Sequence, residues 1–209
     1  MKYSEMTLGR MEALINKLGG MEGVEKFLRG DIVVCDPQRK WREENGIIYF
    51  SVTSDGTTGE EWIERLEQKG FLVSTRTKRL LRSENFKPTN GVTTEIAILK
   101  GKLLNDQERI ISKINSLATK HKFEVPNAEV ACIIRDMFTR EEIRAMDLGW
   151  ILVMHAPLTD TNGSSNLLSV DMDREGDWLR SYYYVAKGDG MEDVWNKSRG
   201  FAFAASQAG

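Results

Sequence analysis

The chain has 209 residues, which suits one large domain or one domain with a small appendage. Hydrophobic residues make up 41% and charged residues 29%, so enough apolar surface exists to offset the entropy of ordering, which argues against disorder. The net charge is −2, without the basic excess that counterion release usually requires, so we expect no nucleic-acid partner.

Residues 1–30 form a predicted N-terminal helical segment. Apolar residues at helical spacing predict two short helices over residues 4–29, separated by Gly19 and Gly20. On its own, such a segment can bury only one face, so it should dock on the rest of the chain or on a partner subunit. A homo-oligomer is therefore one possibility. We see no secretory signal, which needs ~7–15 apolar residues, and no membrane span of ~20. The chain is expected to be soluble, and its location stays open between the cytoplasm and, by another route, a virion or cell surface.

The middle of the chain alternates predicted strands and helices. Runs of β-branched and aromatic residues indicate the strands, and 3.6-residue periodicity with glycine stops and capping boxes indicates the helices. The predicted strands are Asp31–Cys35, Ile47–Val52, Phe71–Val73, Val92–Leu99 and Gly149–His155, and Asp36–Asn45 is a predicted loop. The predicted helices are about ten residues from Gly59, Thr77–Ser83, Asn105–Lys120 with Asn105 as N-cap, Pro126 to Met137, and one begun by the capping box of Thr139 and Glu142.

The sequence pattern changes after Pro157, where the helical periodicity of apolar residues disappears. Short strands are predicted over Asn166–Val170, Asp177–Val185 and Phe201–Ala205, between polar and glycine-rich loops. The chain therefore reads as α+β, helix-rich before residue 150 and rich in strands and loops after it.

The two cysteines and two histidines give little support for catalysis or metal binding. Cys35 and Cys132 are far apart and lie in apolar surroundings, which predicts buried thiols. His121 and His155 have no neighbouring ligand spacing, and His155 is expected to be a hydrogen-bonded structural group. We therefore expect no metal, no cofactor and no catalytic residues.

The loop Ser54–Gly59 lies between a predicted strand and a predicted helix. Backbone amides at a helix N-terminus can hold an anion, and glycines allow close approach. The loop lacks the lysine and spacing of a P-loop, so a turn with an N-cap is the simpler interpretation.

The stretch Asp171–Asp177 resembles the start of a calcium loop, with oxygen ligands at alternate positions followed by glycine. Tyr182 stands where a bidentate glutamate should close such a loop, and the flanks read as strands. We therefore interpret it as a hairpin turn.

Aromatic residues are concentrated near the C-terminus. Residues 177–203 hold seven of the chain's 18 aromatic side chains, where an even spread would put roughly two. Tyr and Trp offer contact area at low entropic cost, and the Arg, Ser and Asn residues among them add hydrogen bonds, as in adaptable binding surfaces. Alternation along a strand should point Tyr182 and Tyr184 to one side and Tyr183 to the other, so at least one exposed face is expected. A simpler interpretation is an aromatic core, to which we assign Trp178, Trp195, Phe201 and Phe203.

The C-terminal pattern resembles the ends of variable proteins that are diversified by diversity-generating retroelements. The pattern consists of Asp177-Trp178-Leu179, Tyr182-Tyr183 and Trp195-Asn196-Lys197-Ser198-Arg199-Gly200-Phe201-Ala202-Phe203. In such proteins a reverse transcriptase mutates adenines in a C-terminal coding segment that ends in an unvaried Gly-Phe strand. Three upstream stretches, Asn90–Glu95, Pro126–Cys132 and Met154–Pro157, are similar to uncharacterised proteins of uncultured microbial lineages that share this ending.

The resemblance implies a C-type lectin-like domain over residues 31–209, with a variable region at about 170–205. It implies a non-enzymatic receptor or adhesion protein whose C-terminal surface binds varied protein or other macromolecular ligands. The implied ligand-binding residues are Arg180, Ser181, Tyr182, Tyr183, Tyr184, Asn196, Ser198 and Arg199, with Asp173 and Arg174 as weaker candidates. The implied scaffold residues are Trp178, Trp195, Gly200 and Phe201.

The sequence leaves two other functions open. The first is a small α/β enzyme or anion-binding protein that uses residues 54–59 for a phosphate-bearing substrate. The second is an assembly protein that uses residues 4–29 as an oligomerisation arm.

Overall fold

Ten β-strands form one mixed sheet in this computed structural model, which describes residues 7–32, 39–184 and 194–205. The strands are β1 Arg42–Glu44, β2 Ile47–Asp55, β3 Leu72–Val73, β4 Asn90–Lys100, β5 Phe123–Glu124, β6 Trp150–Val153, β7 Leu158–Thr159, β8 Ser165–Met172, β9 Asp177–Tyr183 and β10 Arg199–Ala205. Their order across the sheet is β1-β2-β4-β10-β6-β8-β9-β3, with β5 paired to β10 and β7 to β8.

Seven α-helices lie within the described ranges. They are α1 Leu8–Lys17, α2 Met21–Arg29, α3 Gly59–Gln68, α4 Thr75–Leu81, α5 Ile111–Lys120, α6 Val130–Met137 and α7 Arg140–Ala145. After α7 the described chain contains strands and loops. The predicted α+β class, with helices before residue 150 and strands and loops after it, is therefore confirmed. Within the described residues, every helix is too short or too polar to cross a membrane.

The chain divides into two compact units, Met1–Arg39 and Lys40–Gly209. In the first unit, α1 and α2 confirm the two predicted helices, and Leu8 and Leu28 keep about three quarters of their surface exposed. The predicted strand Asp31–Cys35 is not formed at its first two residues, which lie in a bend, and its last three fall outside the described residues.

Two hydrophobic cores pack on opposite faces of the sheet in the second unit. On one face, called the α6 face, residues such as Ile98 and Val153 pack against α3, α4, α6 and α7. On the other, called the α5 face, alternate residues such as Leu99, Leu152 and Phe201 pack against α5. Because side chains alternate along each strand, the register of the sheet decides which residues share a face.

Three boundaries differ from the sequence prediction. Asp36–Asn45 is not wholly a loop, since β1 pairs antiparallel with β2 through a tight turn in which Asn45 and Gly46 have φ of 52° and 78°. Asn105–Lys120 is not one helix, because a 3-10 turn at Asp106–Glu108 precedes α5. The helix predicted from Pro126 begins only at Val130, whereas the Thr139 capping box is confirmed at α7.

Candidate functional site

A row of polar and aromatic side chains crosses the α5 face at one end of the sheet. β10 and β6 start side by side in parallel, with Arg199 opposite Trp150. The register of β6 with β8 places Trp150 beside Asp171, which pairs in turn with Trp178 of β9. The row belongs to the α5 face because Phe201, two residues after Arg199, lies in the core of that face.

Three aromatic rings in this region surround one arginine. The ring centroids of Trp150, Tyr182 and Trp195 lie 5.0–5.6 Å from one another. The guanidinium carbon of Arg199 lies 3.6 Å from the centroid of Trp150, 4.5 Å from that of Trp195 and 5.8 Å from that of Tyr182. Stacking on aromatic rings stabilises a cation by about 0.5–2 kcal/mol, so the cluster holds this side chain in a defined place.

A buried arginine fixes the Trp195 backbone above the sheet. The amide of Trp195 donates to the Arg109 carbonyl at 2.7 Å, and Nε of Arg109 donates back to the Trp195 carbonyl at 2.7 Å. Arg109 also donates to the Leu104 carbonyl at 3.1 Å and pairs with Asp106. Charge-assisted hydrogen bonds of this kind are among the stronger ones, so Arg109 positions one wall of the aromatic cluster.

The turn between β8 and β9 is built around the carboxylate of Asp173. Its Oδ1 accepts hydrogen bonds from the amides of Glu175 and Gly176 and from the Trp178 indole, at 2.9–3.1 Å. Partial desolvation raises the pKa of Asp173, but these bonds and the contact with Arg180 outweigh it and lower the pKa to about 2. The structure therefore gives Asp173 the role of a turn-closing residue and confirms the predicted hairpin.

Arg180 lies between two carboxylates at the edge of a recess. Its Nη2 contacts Asp173 Oδ2 at 2.5 Å, whereas its Nη1 is 3.8 Å from Asp171 Oδ2, which is beyond hydrogen-bond distance. Burial raises the pKa of the Asp171 carboxyl. The recess has a volume of about 180 Å³, and we call it the arginine recess; it is lined by Gly149, Trp150, Asp171, Met172, Arg180, Tyr182 and Arg199.

The structure brings only three of the ten predicted binding residues into the arginine recess: Arg180, Tyr182 and Arg199. The other seven lie outside it. Ser181 and Tyr183 project to the opposite face, where Tyr183 is half-exposed over the guanidinium of Arg76. Tyr184 lines a separate recess of about 280 Å³ beside α5. Asn196 and Ser198 form an exposed turn, Arg174 is exposed in the turn between β8 and β9, and Asp173 closes that hairpin.

The predicted scaffold residues are buried with one exception. Trp195, Gly200 and Phe201 lie in the interior, and a Cβ at Gly200 would come 2.6 Å from a methyl group of Ile98. The assignment of Trp178 to the core is corrected: it is half-exposed, because its indole binds Asp173 and its ring carries the Arg180 guanidinium at 4.2 Å.

The protein's own side chains occupy the N-terminus of α3, at the loop Ser54–Gly59 that the sequence offers as an anion site. The Glu61 carboxylate accepts from the amide and hydroxyl of Thr58 at 2.7 and 2.8 Å, which forms a capping box. Asp55 accepts from Thr57 and Arg65, and these bonds lower its pKa to about 2. Gly59 is required by close packing, because a Cβ there would lie 1.8 Å from the Leu81 carbonyl oxygen. The observed geometry favours the simpler interpretation, a capped turn.

His155 and Cys132 have the structural roles that were expected. Nδ1 of His155 lies 2.7 Å from the Ala156 carbonyl and Nε2 accepts from the Leu168 amide at 2.8 Å, while burial lowers the pKa of the imidazole to about 4. Cys132 is fully buried, which raises the pKa of its thiol, and Cys35 lies outside the described residues. Among the residues with described positions, no cluster of three or more His, Cys, Asp or Glu side chains could hold a metal ion.

Sequence reasoning missed Trp150, Asp171 and Arg109 as parts of the site. Trp150 was assigned only to a buried strand, and Asp171 only to a turn. Their proximity depends on β10 inserting between β4 and β6, which no local pattern indicates. One signal in the sequence could have indicated the site: the charged residue Asp171 directly follows the apolar strand predicted over Asn166–Val170.

Comparison of the chain with models of protein families, with curated proteins and with solved structures finds no match. The function is therefore inferred from the geometry of the arginine recess and from the C-terminal sequence pattern.

Proposed function

We propose that this protein is a non-enzymatic recognition protein that binds a protein ligand at the arginine recess and the surface around it. The observation that carries the proposal is the assembly of Arg180, Arg199, Trp150 and Tyr182 around one opening. Trp, Tyr and Arg are the residue types that most often dominate the energy of protein interfaces.

The recess is held in place before any ligand arrives. Arg199 is stacked on three rings, Trp195 is tied to Arg109 by two hydrogen bonds, and Arg180 is anchored to Asp173. Groups that are already ordered lose little conformational entropy on binding, which leaves more of the contact energy as affinity.

We further propose that the domain is C-type lectin-like and that a retroelement diversifies its C-terminal surface. Exposed side chains such as Tyr183, Asn196 and Ser198 stand beside a buried frame that includes Trp195 and Phe201. This separation of exposed and buried positions suits a surface that varies on a constant scaffold. The ligand would be a protein or another macromolecule displayed near a cell or virion surface.

The diversification is tested on DNA. A near-copy of the segment that encodes residues 170–205, differing at adenines and lying beside a reverse-transcriptase gene, is expected. Adenine differences should fall on codons of exposed residues such as Tyr183 and Asn196, and codons for Trp195 and Phe201 should be unchanged. A locus without such a copy would contradict the retroelement part of the proposal.

The binding surface is tested by selecting ligands from a displayed library of randomised dodecapeptides. Because interface hot spots concentrate binding energy, selected peptides should bind at the arginine recess and lose affinity for an Arg199→Ala variant. An Arg82→Ala variant is the matched control: Arg82 caps the C-terminus of α4 and forms an exposed ion pair with Glu60 of α3, and the variant should bind as the wild type does. Selected peptides that bind Arg199→Ala unchanged would contradict the proposed surface.

A further inference from the structure

We propose that the outer edge of β2 pairs with the same edge of a second copy of this chain, which joins two sheets in a symmetric dimer. The edge in question, called the β2 edge, consists of residues 51–55. The contact is made by backbone hydrogen bonds between two antiparallel strands. This assembly does not depend on the function proposed for the arginine recess.

The register of the sheet directs the backbone groups of Ser51 and Thr53 away from β4. The tight turn between β1 and β2 closes on the hydrogen-bonded pair of Glu44 and Ile47, so every second residue of β2 from Ile47 directs its N–H and C=O towards the side of β1. The hydroxyls of Thr53 and Thr93 lie 2.9 Å apart, as side chains do when two residues face each other without exchanging backbone hydrogen bonds. Both observations place the N–H and C=O of Ser51 and Thr53 on the outer side of β2.

β1 covers only the beginning of this side of β2. It pairs with β2 as far as Tyr49, and the residue before β1, Trp41, leaves the edge and lies in the core of the α6 face. Within the described residues, no strand pairs with β2 beyond Tyr49 on this side, and Ser51 and Thr53 are both exposed. Their outward backbone groups are therefore accessible to another strand.

The β2 edge lacks the features that usually prevent sheets from pairing edge to edge. Exposed edges in folded proteins are commonly very short or carry charged side chains. Elsewhere this sheet follows that rule, since β1 is Arg-Glu-Glu, β3 has two residues, and β9 carries Arg180 beyond its contact with β3. Ser51 and Thr53, in contrast, are small and uncharged, and threonine is favoured in strands. A second copy is the partner that is present wherever this chain is present.

The position of β1 selects one register for the pairing. A two-fold axis through Thr53 sets the two Thr53 residues opposite each other and Asp55 of each copy opposite Ser51 of the other. An axis nearer to β1 would drive the second strand against β1, and an axis nearer to the end of β2 would leave Ser51 without a partner. Neither kind of pair sets like charges opposite each other. Because the pairing is two-fold and uses both edges, assembly stops at a dimer.

The first test measures the mass of the full chain by sedimentation velocity between about 10 µM and about 1 mM. An interface of a few backbone hydrogen bonds is small, so the mass should rise with concentration from that of one chain towards that of two. Thr53→Lys sets like charges opposite each other and should weaken the dimer about tenfold, and Thr53→Glu should do the same. A mixture of these two variants should regain the dimer, which a misfolded variant would not do. Thr93→Lys, on the same face but one strand further in, is the matched control and should assemble as the wild type does.

The second test is a disulfide at the two-fold axis. In the proposed register the Cα atoms of the two Thr53 residues lie about 5.5 Å apart, a distance that a disulfide can span. Thr53→Cys should therefore form a linked dimer under mild oxidation. Thr93→Cys is the matched control, since three strand spacings separate it from its counterpart by about 14 Å. Cys35 is replaced by Ser in both variants, and Cys132 is buried.

A wild-type chain that stays monomeric up to about 1 mM would overturn the inference. A dimer that Thr53→Lys leaves unchanged, or that is lost on deletion of residues 1–39, would also overturn it and would point to another interface. Equal cross-linking of Thr53→Cys and Thr93→Cys would refute the register. None of these results alters peptide binding at the arginine recess, so the two proposals fail separately.

Discussion

The buried imidazole of His155 makes the stability of the fold depend on pH in a predictable way. Its Nε2 accepts from the Leu168 amide and its Nδ1 contacts the Ala156 carbonyl, an arrangement that requires the neutral form. Burial lowers its pKa from 6.5 to about 4. Between those values the unfolded chain binds a proton that the folded chain does not, so stability is present above pH 6.5 and is lost as the pH falls.

The magnitude follows from the shift. At about 1.36 kcal/mol per pKa unit, His155 should cost the wild type about 2 kcal/mol between pH 7.5 and pH 5, and about 3 kcal/mol by pH 4. The free energy of unfolding is measured by urea titration at several pH values for the wild type and His155→Gln. A glutamine oxygen can accept from the Leu168 amide without titrating in this range.

The quantity to compare is the difference in free energy of unfolding between the two proteins as a function of pH. Carboxylates titrate in both proteins, so their contribution cancels in this difference. We expect the wild type to lose about 2 kcal/mol more than His155→Gln between pH 7.5 and pH 5. His121→Gln, at an exposed position, is the matched control for removal of an imidazole. Parallel pH profiles for the wild type and His155→Gln would refute the reasoning.

Three further outcomes follow from burial. Arg135 is fully buried with Nε and Nη1 unpaired among the described residues, so Arg135→Met should leave the free energy of unfolding, measured by urea titration, unchanged or raise it by up to about 4 kcal/mol. Joint substitution of Tyr183 and Asn196 by Ser, both exposed, should shift the free energy of unfolding by under about 1 kcal/mol in urea, whereas Trp195→Ala should cost about 3–5 kcal/mol. Deletion of residues 1–39 should move the melting temperature by less than about 3 °C, because every residue of the two hydrophobic cores follows Lys40 in the sequence. Light scattering of the same variant tests whether the helical segment has a role in assembly.

Local sequence signals were sufficient to predict those helices and strands whose formation depends on residues close together in the chain. The capping boxes begun by Thr58 and Thr139 mark the true starts of α3 and α7. The apolar and β-branched run from Ile47 forms the long strand β2. In each case the hydrogen bonds that decide the structure join residues a few positions apart.

Tertiary contacts decided the elements that were missed. β1 has the sequence Arg-Glu-Glu, without apolar alternation, and it forms because the tight turn at Asn45 and Gly46 pairs it with β2. The helical pattern after Asn105 is interrupted because Arg109 turns inward to bind the Trp195 backbone, 86 positions along the chain. Trp150 joins the site for a similar reason, since it meets Arg199 only after β10 inserts beside β6.

The central claim is that ligands bind at the arginine recess, and the indole NH spectrum of the wild type tests it most directly. On addition of a peptide selected from the displayed library, the signals of Trp150 and Trp195 should shift together while those of Trp41 and Trp62 stay in place. A binding peptide that leaves Trp150 and Trp195 unshifted would contradict the claim.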